Sequence, residues 1–305
     1  MRRVVAREHG TLQVEDAPRP EPGDGELLVE VAAVGVTLPV VRLVREGPLP
    51  ILPGGEVAGR IVAIGPGVTG WRIGQRATGL AFTGAYAQFA AVAAAFLTPV
   101  PDDVDDAAAV ALVRGGQVAL GAARAAAVGP GESVLVTAAA GGVGHLAVQV
   151  AAALGAHRVV AAAGTDAKRA FLHGVGVAEV VRYGEPVDPV DVVLDGTGGD
   201  VQAWCLDALA PMGRLVSYSA TGAPVDVNQL RLHARTVIGF AMAHFASRRP
   251  DAYRRQQGEL WELYRSGALR PAVHATLPLE RAADAHRVIE ARANLGKVVL
   301  RAAAC

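Results

Sequence analysis

Residues 133–144, Ser-Val-Leu-Val-Thr-Ala-Ala-Ala-Gly-Gly-Val-Gly, constrain the fold of this chain more than any other stretch. Val134-Leu135-Val136 is the apolar run of a buried parallel strand. It enters Ala139-x-Gly141-x-x-Gly144, after which Val143, Leu146, Val150 and Leu154 recur at helical spacing. Strand, glycine turn and helix in that order are the context of a dinucleotide-binding loop. Gly141 lets backbone approach a pyrophosphate, and Gly144 lets helix pack closely on strand. The free N–H groups and positive dipole end of the helix then face the phosphates. An ordinary tight βα turn carries glycines too, but the strand before, the helix after and a second strand on cue favour a nucleotide site.

The 305 residues suffice for two domains, and 51% hydrophobic against 19% charged residues supplies a large core. Lys+Arg and Asp+Glu both number 29, and no basic block stands out, so no nucleic-acid partner is expected. The two cysteines, Cys205 and Cys305, give neither a disulfide framework nor a cysteine-rich zinc lobe, and read as structural. The N-terminus runs into Arg7 and Glu8 without the apolar core of a signal peptide. Apolar stretches are broken by Gly, Pro or charge, so a soluble, cytoplasmic protein with no membrane contact is expected.

The first hundred residues read as β-rich, with strands at 27–31 and 57–64 closed by Gly65-Pro66-Gly67. Asp102-Asp103-Val104-Asp105-Asp106 then resembles a helix entry, with Asp105 or Asp106 as cap rather than catalytic acid. Strands follow at 134–137, 158–162, 177–181, 191–195, 214–218 and 236–239, with a helix around 167–173. That alternation argues for a doubly wound parallel sheet. A last strand, Lys297–Leu300, is free to return to the N-terminal region.

Four segments in order carry a resemblance. They are Glu21-Pro22-Gly23-Asp24-Gly25-Glu26, then Gly55-Glu56-Val57-Ala58-Gly59 with Gly65 and Val68. Next come Ala138–Gly144, and finally Leu279–His286 with Gly296-Lys297-Val298-Val299. The chain resembles the medium-chain dehydrogenase/reductase superfamily, and within it the zinc-independent quinone oxidoreductase branch. The resemblance implies an α/β protein. A GroES-like β-rich domain spans 1–104 and is completed by 270–305, and a Rossmann domain with a doubly wound parallel sheet spans 105–269. It also implies a homodimer.

Zinc-dependent relatives carry an early cysteine and a histidine before the glutamate of the barrel signature. Here Gly55 holds the histidine position and no cysteine precedes Cys205, so no metal is expected and Glu56 reads as structural. His145, beside the glycine loop, reads as a helix-surface residue rather than a proton donor.

The end of the second strand reads on cofactor choice, because an acid there binds the ribose 2′-hydroxyl of NAD. Ala161-Ala162-Ala163-Gly164 carries none, while Asp166 lies 22 residues beyond Gly144, past the expected strand end. Thr165 or Asp166 also fits a helix cap. In quinone reductases this segment and a later tyrosine embrace the 2′-phosphate of NADPH, and Thr165, Lys168 and Tyr183 match that pattern. A lysine beside a phosphate dianion favours NADPH over NADH.

The resemblance thus assigns Ala140, Gly141, Gly142, Val143, Gly144, Thr165, Lys168 and Tyr183 to the cofactor. It adds Gln117, Ser217, Phe240, Met242 and Arg292, each equally compatible with packing or surface roles. On the substrate side the family's Asn and Tyr are missing. Thr37, Arg42 and Phe240 are the pocket candidates, in an otherwise apolar pocket. The implied activity is metal-free hydride transfer from NADPH to a quinone or α,β-unsaturated carbonyl. Alternatives are an enoyl or polyketide-intermediate reductase of specialised metabolism, and a non-catalytic NADPH-binding protein.

Overall fold

The computed structural model describes residues 1–219 and 221–302. They form two compact units: Met1–Arg114 together with the chain from Ala272 onward, and Gly115–Pro271. No helix among the described residues is long and apolar enough to cross a membrane.

The first unit opens with an antiparallel hairpin, β1 (Arg2–Glu8) and β2 (Thr11–Asp16). Then follow β3 (Glu26–Val36), α1 (Leu38–Glu46), β4 (Gly55–Ile64), β5 (Arg76–Ala81), β6 (Phe89–Ala93), β7 (Leu97–Pro99) and α2 (Asp106–Ala111). β3 organises this unit. Leu27, Val29, Val31 and Val34 along it are essentially inaccessible, and its backbone pairs antiparallel with β4 and with β6. Asp105 caps α2, its Oδ1 accepting from the Ala108 N–H at 2.8 Å, which stabilises such a helix by about 1 kcal/mol. α2 packs on β3, β4 and β5. That packing places 105–114 with the first unit, where a boundary at 104 had assigned it to the second.

The second unit begins with α3 (Gln117–Ala125) and β8 (Ser133–Val136), followed by α4 (Gly144–Ala153), β9 (Arg158–Ala162), α5 (Asp166–Gly174) and β10 (Glu179–Val181). It continues through β11 (Val190–Asp195), α6 (Val201–Asp207), β12 (Leu209–Ser217), α7 (Val227–Leu232), β13 (Thr236–Gly239), α8 (Met242–Arg248) and α9 (Pro250–Arg265). Its six strands lie in the order β10-β9-β8-β11-β12-β13, and every pair is parallel. Val134–Val136, Val160–Ala162 and Val192–Leu194 are buried almost completely, as strands covered on both faces must be. Strand order reverses between β8 and β11. Doubly wound sheets bind ligands at such a switch point, beyond the carboxyl ends of the strands.

The chain then returns to the first unit as β14 (Val273–Pro278), α10 (Ala282–Glu290) and β15 (Lys297–Arg301). β15 pairs antiparallel with β3, Leu300 opposite Val34, and parallel with β14.

Candidate functional site

The turn after β8 is built against the strain of its own backbone. Ala138 stands at φ 48°, a left-handed conformation that costs an alanine energy. Its N–H donates to the Tyr183 hydroxyl at 2.9 Å. The Gly141 N–H donates back to the Ala138 carbonyl at 2.9 Å. A Cβ on Gly144 would collide with the Ala138 carbonyl, so only glycine lets α4 start this close to the strand. A Cβ on Gly141 would meet Ala138 O alone, at 3.2 Å, so this residue otherwise borders open space. None of the described residues accepts a hydrogen bond from the N–H of Ala140, Gly142, Val143 or Gly144. Four free donors at the head of a ten-residue helix fit an anionic diphosphate.

His145 braces this turn from below. It is fully buried, not on the helix surface as the sequence implied. Its Nδ1–H donates to the Gly141 carbonyl at 2.8 Å, and its ring tilts against Phe171.

Across the switch point, Asp195 ends β11 and is fully buried. Its Oδ1 accepts from the Thr137 hydroxyl at 2.7 Å and from the Thr197 and Gly198 N–H groups at 3.0 Å each. Thr137 Oγ1 accepts in turn from the Gly196 N–H at 2.9 Å. Asp195 therefore locks the turn after β11 to the turn after β8. Its Oδ2 and the Tyr218 hydroxyl are buried without a hydrogen-bond partner. Burial, and then the Asp195 charge, push the Tyr218 phenol far above its ordinary range. Sequence reading treated Asp195 only as the end of a strand. The signal available was Asp195-Gly-Thr-Gly-Gly199 straight after an apolar run.

At the ends of β9 and β10, Thr165 caps α5 with its hydroxyl on the Lys168 N–H at 3.4 Å. Asp166 is the first helical residue, and its carboxylate meets Arg182 Nη2 at 2.6 Å. Arg182 escaped the sequence reading. The Tyr183 ring flanks Gly164, and its hydroxyl is held by Ala138 and stands 3.4 Å from the Thr197 hydroxyl. The Tyr183 hydroxyl thus supports the glycine turn.

Other cofactor candidates sit differently. Gln117 is corrected: it is fully buried, and both its amide hydrogens are spent, on Tyr253 O and Gln257 Oε1, each at 3.1 Å. Its own Oε1 accepts from Gln256 Nε2 at 2.8 Å, so this side chain fastens α3 to α9. Phe240 likewise packs its ring where Gly121 of α3 lacks a side chain, 5.9 Å from the Phe245 ring. Met242 is buried at the start of α8. Ser217 ends β12, half-buried, beside the switch-point strands. Arg292 belongs to the first unit, exposed, at φ 50° after α10. Cys205 lies in the sheet's core, where burial pushes its thiol far up. Cys305 lies outside the described residues.

In the first unit Thr37 precedes α1, yet its hydroxyl makes no cap bond and is buried without a partner. Arg42 is half-buried on α1. Glu56, fully buried, meets Lys297 Nζ at 2.8 Å and stands 3.5 Å from Arg114 Nε. Burial lowers the Lys297 pKa, and the Glu56 charge opposes that shift. A Cβ on Gly35 would collide with this pair, so glycine there makes room for it. Tyr86 is fully buried with its hydroxyl 3.1 Å from His286 Nε2. Among the described residues no three His, Cys, Asp or Glu side chains group as a metal site would.

Comparison with known proteins adds the following. Residues 23–102 match the family model "Alcohol dehydrogenase GroES-like domain", and 154–300 match "Zinc-binding dehydrogenase". A protein of Schizosaccharomyces pombe named "Probable quinone oxidoreductase" is 31% identical over 95% of this chain and 92% of its own length. A "Mycocerosic acid synthase-like polyketide synthase" of Mycolicibacterium smegmatis is 30% identical over 98% of this chain, but the match spans only 15% of that synthase. Among solved structures, a mycobacterial protein complexed with NADPH superposes with a TM-score of 0.92 at 32% identity, covering 99% of this chain and 100% of the other.

Proposed function

The chain belongs to the medium-chain dehydrogenase/reductase superfamily, in its quinone oxidoreductase-like branch, and from that premise we propose an NADPH-dependent oxidoreductase acting on a quinone or an α,β-unsaturated carbonyl. The observation that carries the reading is the turn at Ala138–Gly144: four N–H groups without partners among the described residues, at the switch point of a six-stranded parallel sheet. NADPH, when bound, supplies a hydride from its nicotinamide ring. The free amides hold the diphosphate. Lys168, one turn into α5 behind the Thr165 cap, offers a cation to the 2′-phosphate. The Thr37 hydroxyl, unused by its own helix, is the donor proposed for the acceptor's oxygen. Such a donor stabilises the oxyanion that forms as hydride arrives.

A metal-free reaction fits the same residues. Gly55 offers no ligand, and the Glu56 carboxylate beside it already faces the Lys297 ammonium at 2.8 Å. A closed tetrahedral zinc site needs more N or S donors than this. We further propose a homodimer formed along β13, one of the two edge strands of the parallel sheet, which pairs with β12 alone among the described residues.

The test is titration of the purified protein with NADPH and NADH, followed by a panel of quinones and enones under steady-state conditions. NADPH oxidation with at least one acceptor is expected, unchanged by chelators. No turnover with any acceptor, despite tight NADPH binding, would leave a nucleotide-binding protein without this chemistry. The polyketide synthase match favours one second reading, reduction of an enoyl thioester. Turnover of acyl thioesters with quinones inert would select it.

A further inference from the structure

We propose that the Arg114 guanidinium is the charged half of the site that receives the acceptor's developing oxyanion, with the Thr37 hydroxyl as its neutral half. The inference rests on the reductase reading above and deepens it by naming the cation that meets the acceptor's oxygen.

Arg114 stands at the centre of a π-helical turn, Leu112–Gly116, a distortion that recurs at functional sites. From 108 to 123 every residue is buried except this one. Its side chain is 31% exposed. An apolar side chain would suit such a run better, and a guanidinium there is costly unless its charge is used. No described residue accepts a hydrogen bond from it. Its one ion-pair partner among them is Glu56, whose Oε1 lies 3.5 Å from Nε.

Neutralising Glu56 does not require Arg114. Lys297 Nζ already donates to Glu56 Oε2 at 2.8 Å. Glu56 Oε1 accepts no hydrogen bond, although it is buried. Two cations thus share one carboxylate, and the trio keeps a net positive charge with the guanidinium N–H groups unspent. Backbone register puts this charge beside Thr37. Glu56 lies opposite Gly35 of β3, and a Cβ on Gly35 would strike Glu56 Oε2 and Lys297 Nζ. Thr37 continues β3 with extended backbone, at φ −135° and ψ 151°. Side chains two residues apart on such a strand share a face, about 7 Å along it. The Thr37 hydroxyl, buried without a partner, therefore belongs to the face that carries the ion pair.

As hydride forms its new C–H bond to the conjugated acceptor, a π electron pair shifts onto the acceptor's carbonyl oxygen. Arg114 and Thr37 donate hydrogen bonds to that oxygen as it gains charge. Arg114 keeps its own proton, because a guanidinium does not ionise in a protein. The proton that completes the product comes from water.

Single-turnover loss of NADPH absorbance, with an acceptor that the wild type reduces, gives the rate. Arg114→Ala and Arg114→Gln should each slow it about a hundredfold, the scale of one lost oxyanion donor. Calorimetric NADPH affinity should stay at the wild-type value. Guanidinium chloride at millimolar concentration should restore much of the rate to Arg114→Ala, which leaves a space for it, and none to Arg114→Gln, which fills that space. If Arg114→Ala keeps the wild-type rate, loses NADPH affinity in step with the rate, or is not rescued by guanidinium, the proposal falls while the reductase reading stands. If Arg114→Ala does not fold, Arg114→Gln decides alone: a slow rate with NADPH affinity intact supports the proposal, and a wild-type rate overturns it. If the wild type reduces no quinone or enone, the reductase reading falls and takes this inference with it.

Discussion

Among the described residues each unit fully buries one carboxylate, and the two are satisfied by opposite means. Glu56 in the first unit is met by cations, Lys297 at 2.8 Å and Arg114 at 3.5 Å. Lys297 comes from β15, 241 residues further along the chain. Asp195 in the second unit is met by neutral donors, all from the turns after β8 and β11: the Thr137 hydroxyl and the Thr197 and Gly198 N–H groups. The first arrangement is a long-range tie whose charge is cancelled on the spot. It fastens the returning β15 to β4. The second is a local organiser that accepts from neutral donors of two turns. Through Thr137 it ties the turn after β11 to the turn after β8. A cation-paired carboxylate would bring a further side chain into that crowded switch point.

The comparison breaks first at Lys297. Lys297→Met leaves Glu56 buried beside Arg114 alone, and removing one partner of a buried pair costs about 3–5 kcal/mol. Urea unfolding should show that loss. Changing both residues, Glu56→Gln with Lys297→Met, should recover a large part of it, because no uncompensated charge remains. ADP binding to the second unit should survive whenever the protein folds. A Lys297→Met protein as stable as the wild type would show that the tie contributes nothing.

Acid tests the first unit in a second way. Burial lowers the His286 pKa from its ordinary 6.5 to about 4. Between those values the unfolded chain binds a proton that the folded chain refuses. Stability is therefore complete above pH 6.5 and declines as pH falls toward 4, by about 3 kcal/mol for a shift of this size. The measurement is unfolding free energy against pH. His286→Gln, which keeps a partner for the Tyr86 hydroxyl, should flatten that interval relative to the wild type. If both proteins show the same slope, the acid sensitivity belongs to other groups.

How much of this was legible beforehand differs between backbone and side chains. Apolar runs bounded by glycine or charge marked β9 and β13 to the residue; in β9 the signature comes from burial of Val160–Ala162 on both faces. The glycine turn was legible for the same reason: Gly144 answers a steric demand that no other residue meets. α1 and α9 were not foreseen. α1 follows directly on β3 without a break in apolar character, and α9 is held largely by glutamines, Gln256 and Gln257, that look like surface residues in a sequence. Side-chain placement was least legible where a polar group found an unexpected partner. Gln117 turned toward α9, His145 toward the turn beneath it, and Tyr183 toward Ala138. Hydrogen-bond capacity is visible in a sequence, but the partner that claims it lies far along the chain, 140 residues away for Gln117 and Gln257.

The finest test of the contrast is Asp195→Asn. An amide oxygen at the Oδ1 position still accepts from Thr137, Thr197 and Gly198, so the geometry is kept and only the charge is lost. Bonds to a charged acceptor are roughly twice as strong as neutral ones, yet each exchanges against water. The net loss should be about 1–2 kcal/mol, smaller than at Lys297 because no opposite charge is left stranded. The new amide hydrogens would occupy the Oδ2 position, which has no partner now, and the Tyr218 hydroxyl is likewise unpartnered. The Asp195 charge is second only to burial in holding the Tyr218 phenol up. Removing it should therefore lower the pH at which that tyrosine ionises, as followed by ultraviolet difference spectra. A stability loss as large as that of Lys297→Met would mean that the charge itself, and not its geometry, holds the two turns together.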